Sequence, residues 1–162
     1  MMLLARLLWS LGLRGAAFAV ALQPYSNATP VQAIVLGTMI QVASAAHGVP
    51  VGVAVSVAFE ESRFDLRARS SAGALGVMQV IPGHRCRWCS PAVNAIGERW
   101  LFVQSVNVYE GVWRLAEWHR QKGLAYLCHY NTGWTCKPAG RRYQRRVERR
   151  AMGLLRRVVG ET

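Results

Sequence analysis

Two adjacent carboxyl groups, Glu60 and Glu61, end an apolar stretch that begins at Val51. The length of this stretch predicts a helix that ends at about Ser62. Its last carboxyl groups would then lie at the negative end of the helix dipole, in apolar company. Both conditions raise the pKa of a carboxyl group and keep it protonated near neutral pH. Such a group can donate a proton to a glycosidic oxygen.

Most glycosidases use two carboxylates, and the sequence provides poorly for a second one. The only aspartate, Asp65, belongs to the loop just after Phe64. The remaining acids lie in segments predicted to be exposed helix faces or the tail: Glu98, Glu110, Glu117, Glu148 and Glu161.

An ordered series of motifs surrounds Glu61. It runs through Glu61-Ser62-Arg63-Phe64, Ala68, Ser70, Gly73-Ala74, Gly76-Val77-Met78-Gln79 and Pro82, then Asn107, Gly111, Tyr130-Asn131-Thr132-Gly133, Tyr143 and Val147. The series resembles the catalytic domain of soluble lytic transglycosylases, relatives of goose-type lysozyme, over roughly residues 31 to 150. It departs from the family pattern at Val77, where Leu is usual, and after Pro82, where Gly83 and His84 lead into a cysteine-containing loop.

The resemblance implies a mostly α-helical, lysozyme-like single catalytic domain in which Glu61 is the catalytic residue. In this family one glutamate protonates the leaving oxygen, and the N-acetyl group of N-acetylmuramic acid stabilises the cationic centre. The same glutamate then activates the sugar's 6-hydroxyl, which gives a 1,6-anhydro product. Glu60 is the nearest rival, but Glu61 is the residue that precedes the serine of the motif. No metal and no organic cofactor is implied.

The resemblance also predicts the substrate-binding residues. Ser70, Met78 and Gln79 would line the cleft, and Tyr130 and Asn131 would form its opposite wall, with the Tyr130 hydroxyl donating to the N-acetyl group. Each has a simpler alternative. Met78 can fill the core, Tyr130 can merely pack, and Asn131 can cap a helix end.

Three other functions stay open at this point. A muramidase would use water in place of the 6-hydroxyl. A peptidoglycan-binding assembly protein would keep the cleft with weak turnover. A basic nucleic-acid-binding protein is opposed by the motif series and by the scarcity of aromatic residues in the basic segment. Small single-domain relatives often serve secretion systems or pili, which suggests components of such systems as partners.

The N-terminus predicts export. Residues 1–21 combine Arg6 and Arg14 with apolar residues and end in Ala19-Val20-Ala21, a small-x-small cleavage site. This pattern is typical of a signal peptide for the periplasm. An uncleaved N-terminal membrane anchor is the alternative. Residues 22–30 would form a tail, and residues 31–162 the catalytic domain with a basic C-terminal helix.

The four cysteines are Cys86, Cys89, Cys128 and Cys136. In an exported chain they predict disulfides, with all three pairings open. The spacing of the second pair is wrong for a common zinc site, although His129 beside Cys128 leaves a metal site as an alternative. We therefore predict no metal site. His84, His119 and His129 are interpreted as surface or packing residues.

The net charge of +12 favours an anionic partner. Basic residues recur at i, i+4 spacing in the C-terminal segment, as at Arg141, Arg145 and Arg149. They suggest contact with an anionic membrane or wall polymer, while a solvated helix face is the alternative.

Apolar periodicity and the positions of Pro and Gly predict the elements that position these residues. A loop is expected over residues 65–76, and a short helix over Val77 to Val80. The longer helices are expected at about Val31 to Ala46, Val51 to Ser62, Val106 to Lys122, Leu124 to Tyr130 and Arg141 to Val159.

Overall fold

The computed structural model describes residues 1–82 and 98–159, and the described elements are helices joined by loops. The α-helices, in chain order, are α1 (Met2–Ser10), α2 (Arg14–Leu22), α3 (Pro30–His47), α4 (Val51–Ser62), α5 (Gln104–Lys122), α6 (Tyr126–Thr132) and α7 (Pro138–Val159). Short 3₁₀ helices cover Gln23–Tyr25, Glu98–Phe102 and Gly123–Ala125. The predicted helices from Val31 to Ala46 and from Val51 to Ser62 are confirmed to within a residue.

The ends of α3 show why this segment is helical. The Thr29 hydroxyl accepts from the Gln32 N–H at 3.2 Å, and the Gln32 side chain accepts from the Thr29 N–H at 2.8 Å. This reciprocal capping box satisfies two donors that would otherwise lack partners, and Pro30 suits the first helical position. At the other end Gly48 adopts φ +68°, which stops the helix at little steric cost.

Helix α4 is the core helix that carries Glu61. Six consecutive residues, Ala54 to Phe59, are buried on it. It packs against α2, α3 and α7. A helix that is apolar nearly all round is stable only when neighbours cover it on several sides. The surrounding helices therefore fix the position of its C-terminal end.

Helix α2 packs against α3 at a pair of glycines. The Gly15 N–H donates to the Gln41 side chain at 2.8 Å. A Cβ placed on Gly37 would meet the Gly15 carbonyl oxygen at 2.3 Å, so only glycine permits this approach. Ala16, Ala17 and Ala19 are fully buried, which makes α2 part of the hydrophobic core.

The predicted short helix over Val77 to Val80 is wrong. The segment forms a turn closed by an isolated antiparallel bridge between Leu75 and Val80. Gln79 within it has φ +48°, a left-handed conformation that a right-handed helix cannot contain.

Among the helices that the structure describes, none combines the length and the hydropathy needed to cross a bilayer.

Candidate active site

The chain reverses direction directly after α4, and this reversal places Glu61 beside the loop that follows. Arg63 and Phe64 both adopt left-handed backbone conformations, with φ of 51° and 62°. The Ser62 hydroxyl lies 3.1 Å from the Ala58 carbonyl oxygen and 2.9 Å from the Val77 carbonyl oxygen, and its one hydrogen can be shared between them. Phe64 is buried and packs edge-on against Phe59. Two adjacent non-glycine residues at positive φ store backbone strain, which is common at functional sites.

The Glu61 side chain is partly buried and accepts one short hydrogen bond. Tyr143 of α7, itself buried, donates to Glu61 Oε1 at 2.6 Å. Burial raises the pKa of Glu61 to about 7, even though the Tyr143 hydrogen bond acts to lower it. The carboxyl group is therefore available both as an acid and as a base near neutral pH, which is the requirement for general acid–base catalysis.

Glu60 and Glu61 are consecutive helical residues, so their side chains project about 100° apart around the helix axis. The groups that contact Glu60 therefore differ from those that contact Glu61. The Glu60 carboxylate forms salt bridges with the guanidinium groups of Arg146, at 3.0 Å, and of Arg150. Burial acts to raise the pKa of Glu60, but the hydrogen bonds from Arg150 and Arg146 outweigh it and lower the pKa. Two neighbouring glutamates are thus separated in function, since Glu60 is held as an ion-paired carboxylate while Glu61 retains its proton more easily.

The loop that follows α4 contains Ser70 and Gln79. The Ser70 hydroxyl accepts from the Ala74 N–H at 3.0 Å and closes a tight turn. The Gln79 amide donates to the Ala68 and Gly76 carbonyls, at 3.3 and 3.0 Å. Both amide hydrogens of Gln79 are therefore used inside the loop, which leaves its side-chain oxygen as the atom able to meet a ligand.

Asn107 of α5 holds this loop in place through side-chain hydrogen bonds. Its side chain donates at 2.8 Å to the carbonyls of Leu75 and Leu101 and accepts from the Met78 N–H at 2.7 Å. It is 1% exposed. One buried amide thus satisfies three backbone groups, which fixes the position of the Met78 peptide. The Met78 side chain is fully buried against Gly111, so it lies in the core, as the simpler alternative held.

Tyr130 of α6 reaches the same peptide from the other side. Its hydroxyl donates to the Met78 carbonyl at 2.8 Å. Burial raises the pKa of Tyr130, and the nearby Glu61 charge raises it further. Since the hydroxyl has one hydrogen, the predicted donation to an N-acetyl group would require exchange of this bond. Asn131, the next residue, is exposed.

A disulfide holds the end of α6 against the start of α7. Cys128 and Cys136 are bonded across a short loop, with Cα atoms 5.4 Å apart. The bridge joins the helix that carries Tyr130 to the segment that leads into the helix that carries Tyr143. The other two predicted disulfide residues, Cys86 and Cys89, lie outside the described residues, as does His84. Within the described part of the chain no group of three or more metal-ligating side chains gathers.

The interpretation of Glu110 as an exposed acid is wrong. It is 1% exposed and pairs with Arg114, whose guanidinium also donates to the Ile81 carbonyl at 2.7 Å. The i, i+4 spacing of Glu110 and Arg114 was the available signal for this pair. Asp65 accepts from the Arg67 N–H at 2.9 Å and stabilises the turn after α4.

Tyr143 belongs to the motif series, but its type and position in a basic helix do not indicate a bond to a catalytic carboxyl group. The contact with Glu61 joins residues 82 positions apart, and only the packing of α4 against α7 creates it.

Comparison with known proteins gives two findings. The family model described as the Transglycosylase SLT domain matches residues 19–152. Among solved structures, the lytic transglycosylase Slt from Pseudomonas aeruginosa, determined by X-ray as an inactive mutant, aligns with a TM-score of 0.63 and 20% identity. The alignment covers 76% of this chain and 24% of that protein, so the chain spans about a quarter of its length. No curated protein gives a significant match. The mostly α-helical, lysozyme-like single domain is confirmed.

Proposed function

This chain belongs to the Transglycosylase SLT domain family, and we propose that it cleaves peptidoglycan as a lytic transglycosylase. The bond cleaved is the β-1,4 link between N-acetylmuramic acid and N-acetylglucosamine, and the reaction uses no water. The observation that carries this proposal is the Glu61 carboxyl group, which has a pKa of about 7 and lies against Tyr143.

Glu61 acts first as an acid. Its protonated carboxyl donates the proton to the glycosidic oxygen as the bond to the leaving sugar breaks. Glu60, the carboxylate next to Glu61, is held in ion pairs with Arg146 and Arg150, so we assign stabilisation of the cationic centre to the substrate's own N-acetyl group. Glu61, now a carboxylate, then removes the proton from the 6-hydroxyl, whose oxygen bonds to the anomeric carbon. The product is a 1,6-anhydro sugar, and the carboxyl group ends protonated as it began.

Tyr143 affects both proton transfers through its hydrogen bond to Glu61. Its hydroxyl can donate to the carboxylate that forms after the first proton transfer, which stabilises the charged form. Burial opposes that charge and restores the proton at the end. The balance of the two effects gives Glu61 a pKa near 7.

Substrate contacts are proposed for Ser70, Gln79, Tyr130 and Asn131, and for the Met78 backbone. The Gln79 side-chain oxygen can accept from a sugar hydroxyl, and the Tyr130 oxygen can accept from the acetamido N–H. Both atoms are held in place by the hydrogen bonds to the loop and to Met78.

The enzyme acts on the wall in the periplasm, and residues 1–21 export it, either as a cleaved signal peptide or as a retained anchor. We propose that it opens the wall for a secretion or pilus system, on the ground of its resemblance to single-domain relatives that serve such systems. Arg141, Arg145 and Arg149 would contact anionic membrane or wall polymer. The gene neighbourhood tests the accessory role, since an isolated wall-recycling gene would contradict it.

Digestion of purified sacculi tests the activity. The wild-type protein should release fragments lighter by one water than the hydrolytic products, and Glu61→Gln should release almost none. Products of full mass would identify a muramidase instead. Release by the variant at the wild-type rate would contradict the role of Glu61, and no release by the wild-type protein would favour a peptidoglycan-binding protein whose cleft does not turn over.

A further inference from the structure

A pocket of about 500 Å³ lies beside α4, away from the catalytic carboxyl group. Phe59 lines this pocket. Phe59 and Glu61 are two residues apart, about 200° around the helix axis, so they lie on nearly opposite faces of α4. The remaining wall comes from α7 and from the segment that leads into Gln23–Tyr25. The residues that line the pocket are Leu22, Tyr25, Phe59, Arg63, Arg146, Arg149, Arg150, Gly153, Leu154 and Arg157.

The charge of this pocket is strongly positive. Among the described residues, five of those that line the pocket are arginines, and Glu60 is the carboxylate that pairs with two of them, Arg146 and Arg150. Five positive charges less one negative charge leave an excess of four. Arg149 and Arg157 are exposed, and neither has a carboxylate partner among the described residues. An excess of this size in a concave site concentrates anions.

Two of the guanidinium groups are held in place before any ligand arrives. Arg63 lies 5.1 Å from the centre of the Phe59 ring and Arg150 lies 4.5 Å from it. Arg63 also donates to the Tyr25 carbonyl at 3.2 Å. Stacking on one buried ring restricts both side chains, so less conformational entropy is lost when an anion binds to Arg63.

The floor of the pocket is apolar. Leu22, Phe59 and Leu154 are each at most 5% exposed, and their side chains separate the arginines from the core. A free carboxylate would neutralise one of the four excess charges. A phosphate ester carries up to two charges on several equivalent oxygens, and the planar guanidinium group binds these in pairs. The apolar floor suits the carbon skeleton to which the phosphate is attached.

We propose that this pocket binds a phosphate ester, separately from the glycan-cleaving site. The phosphate oxygens lie among Arg63, Arg149 and Arg157, and the esterified alcohol lies over Phe59 and Leu154. The ligand is either the headgroup of an anionic phospholipid or a soluble phosphate ester. The first would hold the enzyme at the membrane surface, and the second would make it responsive to a phosphorylated metabolite or wall precursor.

The test measures binding in a Glu61→Gln background, so that turnover plays no part and failure of the proposed activity does not affect the result. Glycerol 3-phosphate is titrated by calorimetry, and vesicles of phosphatidylglycerol in phosphatidylcholine are used for co-sedimentation. The pocket variant combines Arg149→Gln with Arg157→Gln. The matched control combines Arg142→Gln with Arg156→Gln, which removes the same charge from exposed positions of the same helix outside the pocket.

We expect the pocket variant to lose about tenfold or more in affinity, since it removes two charge-assisted contacts. The control should lose no more than about threefold, the size of a solvent-screened charge effect. Binding of the vesicles alone supports the lipid headgroup, and binding of glycerol 3-phosphate supports the soluble ester. Equal losses in the two variants, or no binding of either probe by the parent protein, would overturn the proposal.

Discussion

Tyr143 donates a hydrogen bond of 2.6 Å to Oε1 of Glu61, and the two residues come from helices that are distant in the sequence. The bond acts against burial, because it favours the charged carboxylate while the apolar surroundings favour the neutral acid. This opposition sets the pKa of Glu61 to about 7.

Replacement of Tyr143 by Phe should move the alkaline limb of the pH–rate profile upward. The acid must be protonated for the first step, so kcat/KM of the parent enzyme falls above about pH 7. Loss of the hydrogen bond removes an influence that lowers the pKa of Glu61, so the limb shifts to higher pH. The profile of kcat/KM against pH on soluble glycan strands measures the shift.

Tyr126→Phe is the matched control for this substitution. Tyr126 is also a partly buried tyrosine, but it packs edge-on against His119 rather than bonding Glu61. Its profile should keep the parent limb. A limb that moves equally in both variants, or moves to lower pH in Tyr143→Phe, would contradict the role given to Tyr143.

Glu61→Gln should stabilise the folded protein at neutral and alkaline pH. Since the pKa of Glu61 rises from 4.5 to about 7 on folding, the unfolded chain loses this proton first as pH rises. Below pH 4.5 the group is protonated in both states and the substitution has little effect. Above pH 7 the gain reaches up to about 3 kcal/mol in the free energy of unfolding, at about 1.4 kcal/mol for each pKa unit.

Urea unfolding of the parent and variant at several pH values measures this difference. Glu148→Gln serves as the control, since Glu148 is an exposed carboxyl group on α7. A gain that is independent of pH would show that burial of the Glu61 charge is not its cause.

Asn107→Ala should lower both stability and activity. The substitution leaves the Met78 N–H and the Leu75 and Leu101 carbonyls without their side-chain partner in the core. At about 1–3 kcal/mol for each buried group, the free energy of unfolding should fall by about 3 kcal/mol or more.

Asn131→Ala provides the contrast, because Asn131 is exposed. We expect an unchanged urea midpoint and a raised KM, since its proposed role is contact with substrate. If Asn107→Ala unfolds at the same urea concentration as the parent, Asn107 does not anchor the loop.

Gly37→Ala should destabilise a chain that retains residues 1–21. The added Cβ would meet the Gly15 carbonyl oxygen at 2.3 Å, and overpacking of this kind costs about 1–3 kcal/mol. Gly153→Ala, where a Cβ meets nothing within 4 Å, should stabilise α7 by about 0.5–1 kcal/mol.

A chain that begins at residue 22 should tolerate Gly37→Ala, since α2 and its Gly15 are then absent. The mass of the protein recovered from the periplasm shows which form is present in the cell. It also tests the predicted cleavage after residue 21. A penalty of equal size in both chains would contradict the glycine contact as its origin.

The sequence predicted the helices better than the turns between them. Helix α4 was correctly assigned despite its β-branched residues, because its length and the Pro50 start signal favoured a helix. The turn at Val77 to Val80 was misassigned, since its apolar residues look helical and Gln79 gives no sign that it takes φ +48°. Hydrogen bonds to Ala68 and Gly76 impose that conformation, and no local pattern encodes them.

The acidic residues show the same limit. Glu61 was identified because its helix and the motif that follows are both local in sequence. The burial of Glu110 and the hydrogen bond of Tyr143 depend on which helices pack together, so residue type and spacing gave weak signals for them. The resemblance to lytic transglycosylases is confirmed by the family match, which rests on the motif series as a whole.

The central claim is that burial keeps a proton on Glu61 near neutral pH, and its side-chain pKa can be measured directly. Carbon-13 NMR of glutamate-labelled protein gives the titration of each carboxyl group, and the spectrum of Glu61→Gln identifies the signal of Glu61. We predict a midpoint of about 7 for this signal. A midpoint at the ordinary value of 4.5 would show that Glu61 is ionised at neutral pH and would contradict its role as the catalytic acid.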